Sequence, residues 1–299
     1  MKSNLFKYIV YISIAFLIYK LYQSNFLVIP YIHSYLYLCS AVFFLCCGML
    51  ANTMNWKIVL RQHGILINNI HAIKSIGLSI FAKYIPGKIM MILGRSEYVS
   101  KFYKIGRKKT AIISFETQII SIWVGLSLGI LGIVFNKNIL MNRLSYIVIL
   151  FWLSLSLLII SAFARHSIEK LSKLILKKTI SIPQLSFKSL ILVLPYFILN
   201  WALWCLGFLF LCFALSPQST IPASAGFLFS LAASLSILAI IAPGGIGVRE
   251  GLLSLFLTQI GLSIELSTSI SLASRLWFLI GEIFIFVFAL IINPKRSIE

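Results

Sequence analysis

Apolar residues run along this chain in blocks of about twenty, separated by short polar or basic stretches. That block length matches the ~20 residues an α-helix needs to cross a bilayer. Clear blocks fall at 8–29, 34–56, 111–134, 144–163, 189–214 and 267–292, and each predicts a membrane-spanning helix. Two further apolar stretches, 70–95 and 224–262, are interrupted in the middle by Pro-Gly. Proline removes a backbone donor and ends a helix, so each of these predicts a helix–loop–helix hairpin in place of a straight span. Between blocks, 165–188 sets Ile168, Leu171, Leu174 and Ile175 at helical spacing, with lysines on the other face. That is the pattern of an amphipathic helix lying on anionic lipid. The expected fold is an all-α polytopic membrane protein with about six transmembrane helices and two re-entrant hairpins. It forms a single domain over 1–299, with halves at 1–143 and 144–299.

Composition agrees with a lipid setting. Of 299 residues, 60% are hydrophobic and 11% charged, against the roughly 25% charged usual in soluble domains. A soluble chain this apolar could not cover its core with polar surface. The charge is lopsided: 26 Lys+Arg against 7 Asp+Glu, a net +19, with no aspartate. These basic residues sit in short loops between apolar blocks, so no soluble basic face exists to hold nucleic acid. Met1 to Tyr22 has a basic start and an apolar middle. It lacks the small-residue cleavage site of a signal peptide and is expected to stay as the first span.

Loop charge also sets the orientation. Lys2 and Lys7, then Lys57, Arg61 and Lys74, then 101–109, then 165–188, then Lys295 and Arg296 are the basic segments. The stretch 215–222 carries no charge, and 135–143 has only Lys137 and Arg143. Basic loops stay on the cytoplasmic side, which places 101–109, 165–188 and both termini in the cytoplasm of a cell with this cytoplasmic membrane, and 215–222 outside. Six spans satisfy that parity only if the first hairpin enters and leaves from the cytoplasmic face and the second from the outer face. Counting 224–242 as a seventh span would place Lys295 and Arg296 outside.

The few acids are the most informative residues. Glu169 and Glu299 lie in basic aqueous segments, but Glu97, Glu116, Glu250 and Glu282 lie in or beside apolar blocks. An unpaired charge there costs several kcal/mol. The first broken segment reads Lys83, then Pro86-Gly87-Lys88, then Gly94-Arg95-Ser96-Glu97; the second reads Pro243-Gly244-Gly245, Gly247, then Arg249-Glu250, with Arg275 and Glu282 further on. Both run apolar helix, Pro-Gly, spacer, Gly, Arg, Glu, a degenerate internal repeat. Broken helices in matching positions of two halves mark transporter binding sites. Glycines allow close backbone approach, and bare backbone at membrane depth is tolerated only inside protein or along a wet cavity. Helices restarting after such turns would aim their N-terminal amides into that cavity. Lys83, Lys88, Arg95, Arg249 and Arg275 would add cations suited to a lipid headgroup phosphate. Glu97, Glu116, Glu250 and Glu282 would balance them or carry coupling protons. Glu97 and Glu116 are expected around Arg95 and Lys88, and Glu250 or Glu282 with Arg249 and Arg275.

Other chemistry is sparse. PGGIGVREG lacks the GK[ST] ending of a Walker loop, and no βαβ unit surrounds it. GxSxG does not occur, and His33, His63, His71 and His166 show no metal-ligand spacing, so no metal or cofactor is expected. Cys39, Cys46, Cys47, Cys205 and Cys212 all fall in apolar blocks, as small buried hydrophobes do. The six tryptophans read as interface or packing residues.

At PGK…GRSE and PGGIGVREG, and at SLASRLWFLIGEI after them, the sequence resembles the transmembrane region of the lysylphosphatidylglycerol synthases, a flippase-like family. The resemblance covers about 5–292. In two-domain members a soluble aminoacyltransferase makes the lysyl-lipid and the membrane part moves it between leaflets. The resemblance implies the membrane module without the synthase. The family's first motif has Pro-Gly followed by Gly-Glu, where this chain has Lys88 and then Arg95-Ser96-Glu97. Stand-alone members are similar to proteins found beside glycan- and lipid-modifying genes, which extends the expected cargo to lipid-linked saccharides. The expected function is thus binding or translocation of an amphipathic phospholipid or lipid-linked glycan precursor, by a protein that acts as a transporter more than as an enzyme. Two alternatives remain from the residues. One is a membrane glycosyl- or aminoacyl-transferase using a polyprenyl-phosphate donor, which the lack of aspartate disfavours. The other is an accessory subunit, alone or as a homo-oligomer, among envelope-biosynthesis enzymes.

Overall fold

A computed structural model of the protein describes residues 31–84, 89–141, 143–160, 185–216, 221–238 and 245–292. The expected span at 8–29, the amphipathic stretch before Leu185, and Lys295 with Arg296 lie outside the described residues. In chain order the helices are α1 (Tyr35–Gln62), α2 (Asn69–Ser79) running on into a 3-10 turn (Ile80–Tyr84), α3 (Ile89–Phe102), α4 (Arg107–Val134), the single turn α5 (Lys137–Leu140), α6 (Arg143–Ile160), α7 (Phe187–Leu215), α8 (Ser224–Leu238), α9 (Val248–Gln259) and α10 (Ile264–Ile291). No strand occurs among the described residues. Short polar side chains start the elements. Ser34, Asn68, Ser186 and Ser263 each accept a hydrogen bond from an amide of the first turn that follows, which satisfies a donor the helix leaves open.

The helices fall into two length classes. Helices α1, α4, α7 and α10, of 28 or 29 residues, rise about 42 Å at 1.5 Å per residue, more than the ~30 Å hydrocarbon core. They show apolar side chains to the outside, such as Phe43, Phe115, Leu199 and Leu290, as lipid-facing helices do. The pieces α2, α3, α8 and α9 have 11 to 15 residues, so none spans alone. These are the two broken segments.

Tertiary bonds show that the first of them is re-entrant. The Asn68 amide donates to the Tyr103 hydroxyl at 3.4 Å, joining the residue before α2 to the residue after α3. His71 packs on the rings of Phe102 and Tyr103. Toward the same side, Glu116 in the first third of α4 meets His63 at the end of α1 at 2.6 Å and accepts from the Leu185 amide, just before α7, at 2.6 Å. At the opposite face the His33 amide donates to the Ala214 carbonyl at 2.8 Å, joining the start of α1 to the end of α7. The second hairpin begins there: Gly132, near the end of α4, lies against Phe227 and Leu228 at the start of α8.

The packing is reciprocal between halves. Helix α8 of the second hairpin lies on α4 of the first half, and α2 of the first hairpin lies on α10 of the second. Helices α1 and α7 pack on each other, while α3 lies on α4 as α9 lies on α10. Exchanging α1–α4 with α7–α10 leaves this pattern unchanged, the signature of an internal repeat at the level of contacts. Small residues permit the crossings, as is usual where helices associate in lipid. Along α4, a Cβ on Gly125 would come within 2.2 Å of Ser234 Oγ, and one on Gly129 within 2.7 Å of Leu231 Cβ and 2.8 Å of its Cα. On α2, Gly77 would meet the Ile285 carbonyl of α10 at 2.5 Å.

A bulky side chain at Gly129 has backbone in its way and cannot be accommodated by a rotamer change. Gly129→Leu is expected to destabilise the folded bundle by about 2–3 kcal/mol through overpacking, read as a lower melting temperature in detergent. Gly106→Ala, at a position with nothing within 4 Å, is expected to melt with the parent; equal melting of both variants would contradict the α4–α8 contact.

Candidate functional site

A cavity of about 180 Å³ lies where the hairpins converge. Its walls come from the middles of all four long helices: Met49 and Asn52 of α1, Thr117 to Ser121 of α4, Phe197 to Trp204 of α7, and Arg275 with Phe278 of α10. Each of these residues is at least ten positions from either end of its helix, or about 15 Å along the axis. The cavity is therefore at mid-depth in the bundle. Lys83, Arg95, Arg249 and Arg275 all line it.

Each cation is held in its own way. The Lys83 ammonium, at the end of the 3-10 turn that forms the tip of the first hairpin, is ion-paired with Glu282 of α10. The Tyr84 hydroxyl donates to the other carboxylate oxygen of Glu282 at 2.7 Å. Arg275 lies 3.7 Å from Glu250, and its guanidinium sits over the Tyr84 ring, 5.2 Å from the centroid. Arg95 and Arg249, by contrast, are held by neutral groups, and they are held alike. Arg95 donates through Nε to Ser114 Oγ at 2.6 Å and through a terminal nitrogen to the Ser114 carbonyl. Arg249 donates to the Ser274 carbonyl at 3.1 Å and to its Oγ at 3.4 Å. In both halves the arginine of the hairpin's second helix grips one serine of the following long helix by carbonyl and hydroxyl. Both guanidiniums also rest on aromatic faces: Arg95 on Trp56 at 5.1 Å, Arg249 on Phe229 and Phe278 at 4.8 Å each. Desolvated contacts of this kind are favourable by about 2 kcal/mol, but they supply no counter-charge. Four cations thus face two carboxylates among the described residues, and Arg249 Nε has no hydrogen-bond partner among them.

The acids of the first half do something else. Glu97 points away from Arg95, toward Lys101 at 3.4 Å and Arg107 at 3.3 Å. Two residues on from Arg95 in a helix is the opposite side, so the adjacency in sequence separates them in space. Glu116, one residue before the cavity-lining Thr117, instead meets His63 at the end of α1 and the Leu185 amide. The expected grouping of Glu97 and Glu116 around Arg95 is not formed. Gly94 is inside α3 and not part of a helix break. Pro86, Gly87, Lys88, Pro243 and Gly244 lie outside the described residues. Gly245 and Gly247 hold φ of +73° and +83°, values that favour glycine, and they turn the chain into α9. The amide of Gly247 does not face the cavity as expected. It donates to Glu250 Oε2 at 2.7 Å, so the carboxylate caps its own helix and the cavity's positive potential comes from side chains.

Glu250 also borders a second, more open groove of about 630 Å³ between α9 and α10, lined with Ser254, Thr258, Gln259, Thr268 and Ser271. The Glu250–Arg275 pair stands between the two spaces. Several participants could not be assigned from sequence. Tyr84 follows Lys83 directly, and Ser274 precedes Arg275 in a run of serines at 267, 271 and 274, which was the available signal. Nothing in the chain announces Ser114 as the partner of Arg95, or Asn52 and Gln118 as cavity residues, because tertiary packing alone selects them. No group of three or more potential metal ligands occurs among the described residues.

The family model for the lysylphosphatidylglycerol synthase TM region matches residues 4–288. No curated protein and no solved structure gives a significant match. The chain belongs to that family, a family of membrane-embedded, lipid-related proteins.

Lys83 and Glu282 come from different halves, so their pairing is testable as a coupling. Lys83→Met or Glu282→Met alone leaves a buried charge uncompensated and is expected to cost about 3–5 kcal/mol, whereas the double replacement recovers most of that. Thermal melting in detergent gives the cycle; additive losses would show that the pair is not formed.

Proposed function

We propose that this membrane module binds the phosphate of an anionic amphipathic lipid between its two hairpin tips and moves the headgroup across the cytoplasmic membrane. The observation that carries this reading is the positive excess at mid-depth, with Lys83, Arg95, Arg249 and Arg275 around one cavity and two carboxylates among them. Such an excess inside lipid is costly when empty and becomes favourable when a phosphate supplies the missing charge through charge-assisted hydrogen bonds. The apolar remainder of the wall, including Met49, Phe197, Trp201 and Trp204, suits the part of a lipid next to its headgroup, with the acyl or prenyl tails left in the bilayer.

Translocation needs access from both faces, and the groove beyond the Glu250–Arg275 pair supplies the second approach. Separation of that pair would free Arg275 for the phosphate and join the two spaces. The orientation that the loop lysines and arginines favour, with both termini cytoplasmic, places the opening of the second hairpin on the outer side. The same chemistry serves a phospholipid or a lipid-linked saccharide, since both carry a phosphate at the membrane depth where the tails begin.

The test is leaflet-resolved transport of a fluorescent anionic phospholipid in proteoliposomes. Arg249→Gln and Arg95→Gln are each expected to slow transport at least tenfold while the protein still melts cooperatively, and Arg143→Gln, at an exposed position, to leave it unchanged. Full activity of both buried-arginine variants would refute the assignment.

A further inference from the structure

Resting on that phosphate-binding reading, we infer that the headgroup taken into the cavity is a small uncharged polyol on the lipid phosphate, and that amine-bearing or aminoacylated headgroups are disfavoured. Three features of the cavity point the same way.

The first is charge. Glu282 is occupied by Lys83 and Tyr84, and Glu250 by Arg275 and the Gly247 amide. A phosphodiester brings one negative charge and still leaves the cations in excess. An ammonium beside it would enter a cavity lined by Lys83, Arg95, Arg249 and Arg275 and, among the described residues, by no carboxylate. Like charges at such separations in a poorly screened interior repel strongly.

The second is the hydrogen-bonding character of the remaining wall. Asn52 of α1 and Gln118 of α4 line the cavity, and neither carboxamide is hydrogen-bonded to another described residue. Each offers two donors and an acceptor. Around them the hydroxyls of Ser79 and Thr117 direct their hydrogens to carbonyls of their own helices, Ser75 and Ile113, which leaves their oxygens as acceptors. A wall that both donates and accepts matches alcohol hydroxyls, which do both. Carboxamides without partners among the described residues, facing a mid-depth cavity, are costly unless a polar ligand or water completes them.

The third is size. A cavity of about 180 Å³ is a little larger than one of ~150 Å³ that accepts benzene. It holds a phosphate with a glycerol-sized or single-ring polyol, and a longer glycan has to stay outside it.

The shared chemistry, a polyol phosphate, comes either from a glycerophospholipid or from a polyprenyl-phosphate monosaccharide, so both enter the test. Purified protein in vesicles is assayed with acyl-labelled phosphatidylglycerol, lysyl-phosphatidylglycerol, phosphatidylethanolamine and phosphatidic acid, alone and with a polyprenyl-phosphate monosaccharide as competitor. Bound lipid is identified in parallel by mass spectrometry of the purified protein equilibrated with an equimolar mixture. We expect phosphatidylglycerol to be moved and bound at least tenfold better than the lysyl and ethanolamine lipids. Gln118→Leu with Asn52→Leu should reduce its advantage over phosphatidic acid, which has no polyol. Competition by the monosaccharide lipid assigns the polyol to a prenyl carrier, and lack of competition to the glycerophospholipid; the inference holds either way. If phosphatidylglycerol is bound selectively but nothing moves, translocation fails and the headgroup assignment stands. If the lysyl-lipid is bound and moved as well as phosphatidylglycerol, the headgroup assignment is overturned while translocation stands.

Discussion

Positive charge confined to the middle of a lipid-immersed bundle governs the rest of this structure. Lys83, Arg95, Arg249 and Arg275 line a cavity whose walls lie at least about 15 Å from either end of the surrounding long helices, away from the bulk water and headgroups at the bilayer faces. Everything next to them answers that problem. Glu282 and Glu250 neutralise two of the charges, from the partner half for Lys83 and from the same half for Arg275. Ser114 and Ser274 offer carbonyl and hydroxyl to the other two, and Trp56, Phe229 and Phe278 offer ring faces. Dipoles and rings orient a guanidinium without cancelling its charge, which is why the unbalanced positions are the arginines of the two hairpins and why the cavity between them suits an anion.

The hairpins exist for the same reason. A straight helix could place an arginine at mid-depth, but only a broken one brings chain ends, turns and a cavity there. The first hairpin returns to the face it left, as the Asn68–Tyr103 bond shows, and the second starts at the opposite face beside Gly132. Each then packs on the long helix of the other half. This exchange makes the cavity a joint property of both halves: Lys83 from the first reaches Glu282 in the second, so neither half closes the site alone.

Much of the architecture was legible in the sequence because membrane helices declare themselves by length and apolarity. The blocks at 34–56, 111–134, 189–214 and 267–292 correspond to α1, α4, α7 and α10, and the Pro-Gly interruptions to the two pairs of short helices. The four cations could be singled out because a basic residue in an apolar run has few reasons to be there. The partners were less legible. Glu97 follows Arg95 by two residues, which looks like a pair on paper and is a rotation of about 200° on a helix; it ends up with Lys101 and Arg107. Glu250 is expected beside Arg249 and Arg275; it lies 3.7 Å from Arg275 and also accepts from the Gly247 amide, a cap that the sequence did not announce. Ser114, Tyr84, Asn52 and Gln118 gain their roles only from the crossing of α4 with α3 and from the shared cavity, information that no local pattern carries.

The central claim is that a lipid phosphate meets the buried arginines in the middle of the bundle. The direct measurement is solid-state NMR dephasing between arginine guanidinium carbons and lipid phosphorus in proteoliposomes, with surface phosphates bleached by an aqueous paramagnetic ion. The account predicts a protected population of guanidinium carbons about 4 Å from phosphorus, the distance of a charge-assisted contact, which disappears when Arg95 and Arg249 are both replaced by glutamine. Absence of that population, or its persistence in the double variant, would contradict it.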